Sequence, residues 1–203
     1  MIRRLLVAWT LALGLGGAQA EESTPDSFAA LLAEAGMEFT LPDGFRELPV
    51  QVNELLPYEG AIGRPDGTLE IRYAIRPLAR IEVDYEDPHS AKPEPNHMFP
   101  LMFQAIIGRI ARHGHNPSTD YPQDQARSRF GADWAAAAIF DVDPGFAPKH
   151  GHGLLLALHK NQLADAYAVF LFDDYEQAKP LLDQTLEALR FAPEPAEGVP
   201  SGG

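Results

Sequence analysis

The chain has 203 residues, with 16 basic against 29 acidic side chains, a net charge of −13 and no cysteine. That balance disfavours nucleic acid and anionic lipid surfaces as partners, and the missing cysteine excludes disulfides, thiolate metal ligands, a thiol nucleophile and a lipid-anchoring cysteine. The length suits one domain, large enough to be stabilised by burial alone.

Arg3 and Arg4 precede an apolar run from Leu5 to Leu15, and small residues end at Ala18-Gln19-Ala20. This order of charge, apolar core and A-x-A site is that of a secretory signal peptide over residues 1–20. The run is too short to span a bilayer as a helix, which takes about 20 apolar residues. Cleavage after Ala20 leaves a chain starting at Glu21 and, with Arg3 and Arg4 gone, moves the charge from −13 to −15. The expectation is therefore a periplasmic or secreted protein without stable membrane insertion after cleavage. It would hold a single domain over 21–192 and a disordered Pro/Gly-rich tail over 193–203.

Along the chain, Thr24-Pro25-Asp26 reads as a helix start, and the helix is expected to run through Ala35 and stop at Gly36. A short strand over Met37 to Leu41 leads into the turn Pro42-Asp43-Gly44. Leu69, Ile71, Tyr73 and Ile75 alternate with Glu70, Arg72, Ala74 and Arg76, which predicts a strand with one wet face. Tyr58 to Arg64 joins it through Pro65-Asp66-Gly67 as a hairpin. The prolines between Glu86 and Pro95 mark a loop. The apolar spacing of Met98, Leu101, Met102, Ala105, Ile106 and Ile110 predicts a helix over 98–112. Strands are expected over 134–142, 153–160 and 166–173, apolar on both faces and hence interior. The alanine run inside the first of these implies close approach of a packed helix. A helix over 176–190 closes the domain.

Two stretches, Met37-Glu38-Phe39-Thr40-Leu41-Pro42-Asp43-Gly44-Phe45 and Tyr167-Ala168-Val169-Phe170-Leu171-Phe172-Asp173 with a helix ending Leu189-Arg190-Phe191, resemble the two ends of PsbP/Mog1-like domains. The resemblance implies an α+β fold, an α-β-α sandwich with a central, largely antiparallel sheet flanked by helices. It also implies a non-enzymatic accessory or partner-binding role. It carries over no functional residue. The residue patterns agree on helices flanking an antiparallel sheet.

Several residues carry candidate chemistry. His113-Gly114-His115 and His150-Gly151-His152 are pairs whose side chains point the same way in extended backbone, and together they could offer four nitrogens to Zn²⁺ or Cu²⁺. Against that, His113 falls at a helix C-terminus, where an imidazole meets the dipole favourably, and His150 and His152 lie in a Gly-rich loop. Asp141-Val142-Asp143-Pro144-Gly145 opens like a calcium loop, but His152 stands where an EF-hand has glutamate. Trp134, the only tryptophan beyond the leader, is a candidate partner-binding anchor or a packed core residue. No G-x-S-x-G elbow and no glycine-rich phosphate cradle occur. The expected function is that of a non-catalytic exported protein, without a required cofactor, that engages a protein or envelope component. The alternatives are a metal-binding protein using the histidine pairs and a carboxylate-based envelope hydrolase.

Overall fold

The computed structural model describes residues 27–80, 95–113 and 117–193. The leader, the Thr24-Pro25-Asp26 helix start, nearly all of the proline-rich loop, His115 and the tail after residue 193 lie outside them. Helix α1 spans Phe28–Glu34, with the Ser27 hydroxyl accepting from the Ala30 N–H at 3.2 Å, so Ser27 caps the helix directly. Gly36 ends the turn at φ +60°, a conformation that favours glycine.

Strand β1 (Met37–Phe39) pairs with β9 (Leu189–Phe191) in a small antiparallel ribbon. The remaining strands are β2 (Arg46–Glu47), β3 (Gly60–Gly63), β4 (Glu70–Pro77), β5 (Ser118–Asp120), β6 (Trp134–Asp141), β7 (His152–Lys160) and β8 (Ala164–Phe172). They form one antiparallel sheet in the order β2-β3-β4-β8-β7-β6-β5. The three strands expected to be interior are interior, and the edges are short, which limits pairing with other chains. The β3–β4 hairpin turns through Gly67 at φ +78°, as Pro65-Asp66-Gly67 predicts.

Helices cover both faces. Leu31 and Ala35 around α1, Ala126 and Phe130 of α3 (Gln123–Phe130), and Ala178 and Leu182 of α4 (Tyr175–Thr185) share one buried cluster with Ile71, Tyr73, Leu156 and Phe170 of the sheet. Phe99, Phe103, Ile107 and Ile110 of α2 (Pro95–Ile110) share the other with Ala74, Leu155, Tyr167 and Val169. The result is the α+β, α-β-α sandwich that the sequence implied. The alanines of β6 divide accordingly. Ala135 sits in the cluster that holds α3, and Ala136 and Ala138 in the one that holds α2, so small side chains let helices approach from both sides.

Two expectations are corrected. The helix foreseen over 176–190 ends at Thr185, because Leu189 and Phe191 point into the core while Arg190 points out, a strand pattern that completes the ribbon with β1. The supposed wet face of β4 is dry at its centre. Arg72 is 8% and Ala74 1% exposed, because α2 and the segment through Phe146 lie over that face.

Candidate functional site

Residues directly opposite in an antiparallel ladder point to the same face. Trp134 faces His159, His159 faces Asp165 and Asp165 faces Arg76, so one row of four polar or aromatic side chains crosses β6, β7, β8 and β4 beneath the N-terminal part of α2. The centre of this row is a buried ion pair. His159 Nδ1 donates to Asp165 Oδ1 at 2.6 Å, and the two side chains are 3% and 5% exposed. The other ring nitrogen, Nε2, donates to Asn161 Oδ1 at 3.2 Å, and the Tyr167 hydroxyl donates to Asp165 Oδ2 at 3.4 Å. Burial opposes a charged imidazole, but the Asp165 carboxylate, with Asn161 and Asp133, outweighs it and holds His159 above its ordinary value. Burial also pushes the Tyr167 phenol far up, with the Asp165 charge adding to it. Arg76 pairs with Glu59 at 2.8 Å.

Over this row Phe99 of α2 sets its ring 5.2 Å from His159, tilted by 32°, and meets Trp134 edge-on at 5.2 Å and 61°. The indole is thus held in one orientation. It stands half-buried in an open depression of about 390 Å³ whose rim carries Asn96, His97, Gln123, Asp133 and Asn161. Asn96 also ties the neighbouring β7–β8 turn, its Oδ1 accepting from the Gln162 N–H at 2.8 Å, and Asn161 N–H donates to Asp133 Oδ2 at 3.0 Å.

The histidine pairs are placed as follows. His113 is exposed just past α2, at the end of the sheet where Arg112 N–H donates to the Asp141 carbonyl at 2.8 Å. The helix end and the turn before β7 therefore meet at the same end, but the partner His115 lies outside the described residues. His150 and His152 occupy different surroundings. His152 Nδ1 lies 3.0 Å from Asp141 Oδ1 on the surface, whereas the His150 side chain is 7% exposed, with Asp173 at 3.5 Å from Nδ1 and Glu70 at 3.7 Å from Nε2. Among the described residues no group of three or more His, Asp or Glu side chains is arranged to hold a metal ion. Asp143 Oδ1 accepts from the Gly145 N–H at 2.7 Å, a local turn.

Sequence reasoning singled out Trp134 but missed His159 and Asp165. The available signal was a histidine and an aspartate flanking the turn between two largely apolar strands.

The chain matches no family model and no curated protein. It is similar to the solution structure of cyanobacterial PsbP (CyanoP) from Synechocystis sp. PCC 6803, with 12% identity and a TM-score of 0.45, over 79% of this chain and 89% of that one. Among the described residues no helix is long and apolar enough to cross a membrane.

Proposed function

We propose that this chain is an exported, non-catalytic accessory protein that engages another protein or an envelope component through the depression around Trp134. The observation that carries the reading is a single indole, fixed edge-on by Phe99 and ringed by amide, carboxylate and imidazole groups. A rigid aromatic anchor with a polar rim is the usual make-up of an interface hot spot. The histidine beneath it is poorly placed to serve as a general base. Both its nitrogens donate to protein acceptors, so the imidazolium has no lone pair with which to take a proton from a substrate.

The test is photocrosslinking in the expressing cell. A benzoylphenylalanine placed at position 123, on the rim, should give a discrete adduct that Trp134→Ala abolishes. The same group at position 184, on α4 across the sheet, should give none. Equal adducts at both positions, or none at 123, would overturn the assignment. Intact mass of the recovered protein checks export, the expected chain beginning at Glu21.

A further inference from the structure

At the opposite end of the same sheet face lies a second cavity, of about 250 Å³, built around Arg72. The guanidinium is clamped between two aromatic rings, 5.1 Å from the Tyr58 centroid and 4.8 Å from that of Phe146. Its Nε donates to Glu70 Oε1 at 2.7 Å and its Nη1 to the Phe146 carbonyl at 2.8 Å. An arginine has five N–H donors, and among the described residues no further acceptor meets those of Arg72. Beside it His150, itself more than nine-tenths buried, has Nδ1 without a hydrogen-bond partner among the described residues. The spare Arg72 donors are not sealed off from solvent, so an acceptor on a ligand in the cavity can take them.

We propose that this cavity is a binding site for a carboxylate carried on a small apolar group. Charge selects a monoanion. The two positive charges, Arg72 and the rim residue Lys149, face the carboxylate of Glu70, with that of Asp173 3.5 Å from His150 Nδ1, so the walls are already near balance and oppose a monoanion less than a dianion. A phosphate dianion would overshoot that balance and meet Glu70, which is fixed as an acceptor by its bond from Arg72. Geometry agrees, since the planar guanidinium offers parallel N–H groups that fit a carboxylate fork. Leu48, Pro49 and Pro148 supply the apolar wall for the rest of the ligand. A cavity of about 250 Å³ has room for one residue or a short-chain acid. A peptide C-terminus and a free organic acid share this chemistry.

The experiment is a proton–nitrogen NMR titration of the chain starting at Glu21. Four probes are used: acetyl-Ala-Leu with a free C-terminus, the same peptide amidated, 3-methylbutanoate, and inorganic phosphate. Saturable shifts at the amides of Gln51, Lys149, His150 and Gly151 are expected from the free-acid peptide and not from its amide. Equal saturation by 3-methylbutanoate identifies a small organic acid as sufficient, and saturation by the peptide acid alone identifies a chain terminus. Lys149→Glu, on the exposed rim where folding is undisturbed, should weaken binding about tenfold or more by reversing one of the two charges. Equal shifts from acid and amide, saturation by phosphate alone, or unchanged affinity in Lys149→Glu would overturn the proposal.

Discussion

Replacing Asp165 by asparagine removes one charge from the centre of the sheet while keeping the shape and a hydrogen-bond acceptor. Both partners are nearly solvent-free and only 2.6 Å apart, so the variant at low pH must either bury an imidazolium without its counter-ion or give up the proton. Breaking a buried pair in this way costs about 3–5 kcal/mol, a large part of the roughly 5–15 kcal/mol that stabilises a domain. The sign of the pH dependence follows from linkage. His159 binds its proton more tightly in the folded chain than at its ordinary value of 6.5, so the pair's contribution is whole below that value and is lost as pH rises through the raised folded value. The gap between wild type and Asp165→Asn should therefore be widest below the ordinary histidine value and should narrow as pH rises through the raised folded value, where a neutral imidazole no longer needs the carboxylate. The groups facing the ring are Asp165, Asn161 and Asp133, with Phe99 on its face. Urea unfolding followed by Trp134 fluorescence measures this directly, because the indole stands next to His159 in register. With a slope of about 2 kcal/mol per molar urea, the midpoint at the low pH should fall by about 1.5–2.5 M. A gap below about 1 kcal/mol at the low pH, or one that does not change with pH, would refute the buried imidazolium.

Gly131→Ala should destabilise by about 2 kcal/mol or more, because φ is +63° there and an added Cβ would meet the Phe191 carbonyl at 2.6 Å; a wild-type midpoint would mean β9 does not lie against the end of α3. Gln162→Gly should stabilise by up to about 1 kcal/mol, since Gln162 holds φ +61° in the β7–β8 turn, and thermal unfolding will show whether relief of that strain exceeds the entropy cost of glycine. Calorimetric titration with Zn²⁺ and Cu²⁺ should give equal heats for wild type and His150→Ala, because Glu70 and Asp173 enclose that ring; a loss of heat in the variant would instead assign His150 to a metal site with its neighbours.

The parts of the fold that were legible are those whose burial repeats locally. Alternation in β4 and apolar runs in β7 and β8 announce strands without tertiary knowledge, and the spacing in α2 announces its helix. Helix α3 escaped notice because QDQARSRF offers only Ala126 and Phe130 to the core, too few to make a stripe. The last turn of the foreseen C-terminal helix failed for a different reason. Leu186 and Leu189 stand at helical spacing, but Leu189 and Phe191 also stand at strand spacing, and the partner that decides between them is β1, some 150 residues earlier by sequence number. Local pattern is silent on such a choice.

The ion pair was closer to legible than it first appears. A three-residue turn over 161–163 pairs residues equidistant from Gln162, so His159 must face Asp165 once the hairpin is recognised. A histidine and an aspartate in largely apolar strands are expensive to bury singly and far cheaper as partners. The strand bounds read from the sequence, 153–160 and 166–173, centre the turn on Leu163 and would set His159 opposite Tyr167, so the contact follows only once the turn is placed correctly. Arg72 yields less to such counting. Its neighbours across the ladder are Ala61 and Val169, neither of which can take a charge; Glu70, two residues back on the same face, is the one partner that strand spacing offers, and the others, the Phe146 carbonyl and two aromatic rings, arrive from loops distant in sequence. Alternation along β4 thus reported polarity and was read as exposure. The two come apart where a distant segment folds over a strand and leaves a cation with donors to spare, which is the arrangement that gives this cavity its chemistry.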